Sequence, residues 1–342
     1  MPSLKPKFLF CASLALTLAA CGAPSSSPTI ESSPTSESSS ISSEPSSESS
    51  ELVFPEYVTS LPLPRSYSSP VENKGTVETF TYMTKVYDID GNGTGEVEKK
   101  ADVYLPYGYD ETKQYDILYL MHGGGEVYTY WLTEETQTRQ MLDNIFYYED
   151  AKPCIVVAPS FYTGQGSDSM SELATDVFQY EFRNDLVPNL EKKYATYAHD
   201  DVSIEGLRAT RNHRGYAGLS MGSMVSIRSI LLGCLDIVAH INSMSGGYAA
   251  NTTDTQMAFE KIEHAVKETY KDYPVKFWFN HNGTNDMALG PHKQLKDMIL
   301  ENLSDVFVED INYKWIEFPT GSHSYPSWIA GLYNCLLVFF TR

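Results

Sequence analysis

Gly218-Leu219-Ser220-Met221-Gly222 places a serine between two glycines, where a short strand-like run over residues 213–217 meets a helix-like apolar run over 225–232. A chain that turns from strand to helix within one residue holds that residue in strained backbone geometry. The positions two before and two after it must then be nearly free of side chain, and glycine fits both. The stretch reads as a nucleophile elbow that lifts Ser220 to the end of a strand; the alternative is an ordinary small-residue turn. The rest of the chain decides between them.

An elbow serine is inert without a base, and the base needs a carboxylate to orient it. Downstream, a strand-like run at 275–280 leads into Asn282-Gly283-Thr284-Asn285-Asp286, and another at 311–318 leads into Pro319-Thr320-Gly321-Ser322-His323. Asp286 and His323 thus follow Ser220 in the order of α/β hydrolases. An oxyanion needs two donors. The Met221 N–H, at a helix start, supplies one. The other is expected from the loop His122-Gly123-Gly124-Gly125 after the run at 115–121, where glycine lets the backbone come close to a substrate oxygen. His122 is read as structural, His213 as capping or packing, and His281 and His292 as structural or surface residues. No histidine pair has the spacing of a metal site such as H-E-x-x-H, so no metal and no cofactor is expected.

From residue 71 onward strand-like and helix-like runs alternate, which predicts an α/β fold with a mostly parallel central sheet. Runs at 76–87 and 96–105 alternate as antiparallel edge strands do, while 115–121 and 154–158 are continuous apolar runs suited to central strands. Helices are expected at 138–148, 171–194, 291–303 and from 326, with a further strand at 237–243. Asp88-Ile89-Asp90-Gly91-Asn92-Gly93 resembles the start of a calcium loop, but position twelve is Lys99 rather than Glu, so a hairpin turn is the preferred reading.

Ahead of the folded part, Lys5 and Lys7 precede an apolar run from 8 to 20, and Leu18-Ala19-Ala20-Cys21 closes it. This resembles a bacterial lipoprotein signal peptide (1–20) with Cys21 as the lipidated residue; a plain secretory signal and a short anchor are the other readings. Residues 21–70 form a Ser/Pro/Glu-rich tether and extended lead-in, too poor in apolar residues to fold. The expected location is the bacterial cell surface, held by a lipid anchor, or the secreted medium. The formal charge of −19 argues against nucleic acid as a partner. Cys154, Cys234 and Cys335 sit in apolar runs and are expected to be buried and inert.

With these motifs in place, the chain resembles the feruloyl and acetyl esterases of carbohydrate esterase family one, and more distantly esterase D and the mycolyltransferases. The similarity runs from Val71 to the C-terminus. It is carried by Ala101-Asp102-Val103-Tyr104-Leu105-Pro106, by Tyr119-Leu120-Met121-His122-Gly123-Gly124-Gly125 and by residues 213–222. Gly283-Thr284-Asn285-Asp286 and Gly321-Ser322-His323, with Trp328 and Leu332-Tyr333-Asn334, complete it. The resemblance implies one α/β-hydrolase domain over 71–342 with helices on both faces. It implies a triad of Ser220, Asp286 and His323, and an oxyanion hole of Gly124 and Met221. Where the family often has Asp after the histidine, this chain has Ser324. The implied substrates are ester groups on plant cell-wall polysaccharide, feruloyl groups on arabinoxylan first and acetyl groups on xylan second. Tyr128, Trp131 and Tyr325 are the expected lining of an aromatic acyl pocket. A binding lipoprotein that keeps the fold without the activity is the reading from another class.

Overall fold

A computed structural model describes residues 62–133, 136–162 and 171–341. The expected leader, Cys21 and the tether up to residue 61 lie outside the described residues.

Eight strands form one sheet in the order β1-β2-β4-β3-β5-β6-β7-β8. They are β1 (Thr76–Tyr87), β2 (Gly93–Leu105), β3 (Asp116–Met121), β4 (Cys154–Ala158), β5 (Arg214–Leu219), β6 (His240–Met244), β7 (Phe277–Gly283) and β8 (Tyr313–Phe318). β1 and β2 join the edge antiparallel, and the six strands from β4 to β8 run parallel. The helices are α1 (Thr138–Tyr147), α2 (Glu172–Glu181), α3 (Val187–Lys193), α4 (Ile204–Ala209), α5 (Met221–Val225), α6 (Thr255–His264), α7 (Leu289–Asn302) and α8 (Tyr325–Leu336).

Side-chain alternation along the strands sorts the apolar residues into two cores. On β3, Ile117, Tyr119 and Met121 pack with residues of α2, α6 and α7 on one face, while Leu118 and Leu120 pack with α1 and α8 on the other. A parallel sheet buried on both sides explains why its strands read as continuous apolar runs. Strand order reverses between β3 and β5, since the chain leaves β3 toward β4 and leaves β5 toward β6. The loops at the carboxyl ends of β3 and β5 therefore diverge and open a crevice, and these are the Gly123–Gly125 loop and the elbow.

Three features differ from expectation. The single helix expected over 171–194 is two helices joined by a π-helical turn over Phe182–Leu186, just ahead of Pro188. Proline lacks the N–H and crowds the carbonyl four residues back, and a widened turn accommodates both. The packed part starts before residue 71: Tyr67 is 4% exposed, donates to Asp150 Oδ2 at 2.5 Å and stacks on Tyr148. α4 and α6 were not anticipated; α4 is short and capped by Ser203, whose Oγ accepts the Gly206 N–H at 3.2 Å. The Asp88–Asn92 segment is the hairpin loop, because Tyr87 pairs with Gly93 and Asp88 Oδ1 accepts the Asp90 and Asn92 N–H groups.

Burial pulls His122, His240 and His281 from the ordinary 6.5 to about 4, and His292 to about 3. All four are neutral in the folded state at neutral pH, whereas the unfolded chain protonates them as pH falls through 6.5. The unfolded state then binds more protons, so stability declines below about pH 6.5 and continues to decline toward about pH 4. Urea midpoints at about pH 7 and about pH 5.5 should differ by a loss on the order of 1 kcal/mol per histidine. An unchanged midpoint would show that these imidazoles titrate normally.

Candidate active site

Ser220 follows β5 with φ 52° and ψ −117°, a conformation that L-residues rarely adopt. The elbow is held from two sides. Its N–H donates to the Met244 carbonyl of β6 at 2.9 Å, and its carbonyl accepts the Ser223 and Met224 N–H groups at 2.9 and 3.1 Å. At Gly218 there is no room for a side chain, since a β-carbon would collide with the Gly222 carbonyl.

Asp286 and His323 arrive from neighbouring strands whose loops are tied together. Asn285 N–H donates to the Gly321 carbonyl at 2.8 Å, Thr284 N–H to Phe318 at 3.0 Å, and Thr320 N–H to Thr284 Oγ1 at 2.8 Å. Gly283 and Gly321 lie backbone to backbone, and a β-carbon on Gly283 would strike the Gly321 carbonyl. This contact brings Asp286 within 2.9 Å of His323 Nδ1, and His323 Nε2 within 3.0 Å of Ser220 Oγ.

The proton positions follow from the partners. A carboxylate only accepts, so His323 Nδ1 carries the hydrogen and donates it to Asp286 Oδ1, which leaves Nε2 to accept the Ser220 hydroxyl. Burial would raise the Asp286 carboxyl, but hydrogen bonds from His323, from Ser245 and from the Ala288 N–H outweigh it and hold the group below the usual carboxylate range. The His323 ring is walled by Trp328, edge-on at 5.1 Å, whose Nε1 donates to Ser245 Oγ at 2.8 Å.

The expected oxyanion donors lie on the two loops that flank the crevice. Among the described residues neither the Gly124 nor the Met221 N–H has a hydrogen-bond acceptor. A serine oxygen paired with an imidazole nitrogen, next to two N–H groups without an acceptor among the described residues, can attack a carbonyl and place the charge that builds on its oxygen against those donors.

The aromatic expectations divide. Trp131 is 1% exposed and its Nε1 donates to the Met121 carbonyl at 2.8 Å, so it belongs to the core and cannot line an acyl pocket. Tyr128 and Tyr325 are half-buried; the Tyr325 ring meets Trp131 and Trp328 edge-on. Burial and then the Glu126 carboxylate push the Tyr325 hydroxyl up. His122, buried and neutral, donates from Nδ1 to the Gly123 carbonyl at 2.8 Å and accepts from Ser160 Oγ at Nε2, 2.9 Å away. His213 bonds Asp116 and stacks on Tyr197, and His292 joins Asn280 and Asn282 under the Asp286 loop. Cys154, Cys234 and Cys335 are buried free thiols. Glu126 and Tyr162, not among the residues expected at the site, both bond the glycine loop. Glu126 stands three residues past Gly123, while Tyr162 follows β4 and belongs to no motif.

Residues 94–338 match the family described as putative esterase. The chain is 36% identical over 242 residues, 70% of its length, to endo-1,4-beta-xylanase Y of Acetivibrio thermocellus, of which it covers 20%. It is 28% identical over 181 residues, 51% of its length, to an endo-1,4-beta-xylanase/feruloyl esterase of Xylanibacter ruminicola, of which it covers 22%. The chain thus spans about a fifth of the length of these curated relatives. Among solved structures, a mutant of the feruloyl esterase module from Clostridium thermocellum complexed with sinapinate is 29% identical with a TM-score of 0.69, over 83% of this chain and 94% of that one.

Because a β-carbon at 218 meets backbone rather than a yielding side chain, Gly218→Ala should destabilise the protein by about 3 kcal/mol, the upper end of the usual overpacking range. Urea unfolding of the purified variant measures this, and a loss below about 1 kcal/mol would mean the elbow relaxes freely.

Proposed function

The chain belongs to the putative-esterase family, and on that premise we propose that it is a serine esterase that cleaves hydroxycinnamoyl esters, feruloyl groups on arabinoxylan foremost. The observation that carries this reading is the hydrogen-bonded chain from Asp286 through His323 to Ser220. Ser220 Oγ attacks the ester carbonyl as His323 Nε2 takes its proton. The carbonyl oxygen gains the negative charge and rests on the Gly124 and Met221 N–H groups. Collapse expels the sugar alkoxide, which receives the proton from His323, and leaves an acyl group on Ser220. A water activated by His323 then repeats the sequence and frees the acid. Asp286 keeps the imidazole in the required tautomer throughout.

The choice of acyl group rests on the relatives. The solved module that resembles this chain over most of its length holds sinapinate, a hydroxycinnamate, and one curated relative is named a feruloyl esterase. The lipoprotein-like start of the sequence supports a further part of the reading, that Cys21 anchors the enzyme outside the cytoplasm and the Ser-rich segment spaces it from the membrane.

Ser220→Ala and Asp286→Asn should each lower kcat on methyl ferulate by about 10⁴-fold, the second because an amide donor toward Nδ1 reverses the tautomer. Full activity in either variant would reject the triad. Methyl ferulate should be cleaved in preference to acetylated xylan, and the reverse preference would reassign the substrate. In fractionated cells Cys21→Ser should move the protein from membrane to soluble fraction; retention in the membrane would reject the anchor.

A further inference from the structure

Three consecutive glycines follow β3, and their backbone groups are not equivalent. Gly123 N–H donates to Glu126 Oε2 at 2.8 Å. Gly125 N–H donates to the Tyr162 hydroxyl at 2.6 Å. Only the Gly124 N–H between them has no acceptor among the described residues. The Gly123 carbonyl, by contrast, is crowded with donors: His122 Nδ1 at 2.8 Å, the Glu126 N–H at 3.4 Å and the Tyr162 hydroxyl at 3.5 Å.

Gly123 C=O and Gly124 N–H belong to the same peptide unit. That unit is planar and trans, so fixing the direction of the carbonyl fixes the N–H in the opposite direction. The loop lies against the nucleophile: a β-carbon on Gly123 would stand 3.3 Å from Ser220 Cβ and 3.4 Å from Glu126 Oε2. Glycine alone gives this loop no preferred conformation. Three glycines left to themselves would present any of their N–H groups, or a carbonyl, to the substrate oxygen.

We propose that Glu126 and Tyr162 are positioning residues that select the Gly124 N–H as the oxyanion donor, by occupying the N–H groups on either side of it and holding the Gly123 carbonyl away. The proposal rests on the esterase reading above. Neither side chain touches the reacting atoms; each acts through the backbone of the loop. What Glu126 supplies is an acceptor oxygen, so an amide in its place can do the same work, whereas a methyl cannot. Tyr162 supplies one hydroxyl that both accepts from Gly125 and donates to Gly123.

The experiment compares Glu126→Ala, Glu126→Gln and Tyr162→Phe with the unaltered enzyme on methyl ferulate and with two inhibitors. Phenylboronic acid takes the Ser220 oxygen at boron and becomes a tetrahedral anion, while the hydroxyl proton passes to His323, so it probes the oxyanion site. Ferulate probes ground-state binding. Because removal of an oxyanion donor costs about 10²–10³ in kcat, a donor left in place but misdirected should cost at least about tenfold. Glu126→Ala and Tyr162→Phe should show that loss in kcat with KM within about twofold, and their affinity for phenylboronic acid should fall by the same factor as kcat/KM while ferulate binding holds. Glu126→Gln should recover to within about threefold of the unaltered enzyme. Undiminished kcat in both Glu126→Ala and Tyr162→Phe would overturn the proposal and leave the esterase reading intact. So would equal losses of ferulate and boronate affinity, which mark general disorder of the loop. An unaltered enzyme that neither cleaves methyl ferulate nor binds phenylboronic acid would overturn both.

Discussion

Two contacts between glycine backbones hold the site together. Gly218 lies against the carbonyl of Gly222, which lets β5 turn into α5 within a single residue and forces Ser220 to a positive φ. Gly283 lies against Gly321, which lets the loops after β7 and β8 run together until Asp286 and His323 meet. Neither contact survives a β-carbon without displacement of main chain. The side chains of the site are then delivered by strand ends whose spacing the sheet fixes. A hydrogen bond of 3.0 Å between residues 103 positions apart is possible because both ends are anchored by backbone.

Beneath this frame the sheet contains charge that must be paired. Arg214 opens the elbow strand, and its guanidinium meets Glu191 at 2.5 and 2.7 Å with both side chains 1% exposed. Tyr119 of β3 donates to the same carboxylate. Losing one member of such a pair strands a buried charge at a cost of about 3–5 kcal/mol. Closer to the site, Lys99 bridges Glu181 and the Ser160 carbonyl, and Ser160 Oγ donates to His122, which holds the Gly123 carbonyl. A buried ion pair is thereby connected, bond by bond, to the orientation of the glycine loop. On the proposed function rigidity there matters, because an oxyanion donor is effective only if it need not reorganise as charge develops.

What the sequence disclosed and what it hid divide along a physical line. The strands, the elbow and the order of Ser220, Asp286 and His323 were legible because each depends on a local rule: a continuous apolar run, a glycine pair, a loop after a strand. β4 was placed to the residue, and α1 and α7 within two. Tyr67 was missed because its burial comes from Tyr148 and Tyr333, far away in the chain. Trp131 turns into the core instead, because nearness to the glycine loop in sequence does not say which way an indole points; the Met121 carbonyl decides that. Glu126 and Tyr162 could not be found by order or spacing, since their roles consist of hydrogen bonds to backbone groups that a sequence does not position.

The burial of Trp131 changes how acyl selection must be understood. A platform for stacking has to offer a face to solvent, and this indole offers none; it meets the Tyr325 ring edge-on at 5.4 Å, and Tyr325 meets Trp328 edge-on at 5.1 Å. Trp328 in turn walls His323. The three aromatic rings form a continuous packed line from the core beside β3 to the His323 imidazole. Tyr325, half-buried, is the member with surface left over for a ligand, while Tyr128 stands on the loop beyond Gly125. A substrate ring resting on Tyr325 would press on the same line that holds the His323 ring upright. On the proposed function, recognition of the acyl group at Tyr325 and orientation of the His323 ring would be mechanically joined, so changes to the tyrosine that alter substrate preference would also alter how well the imidazole is aimed.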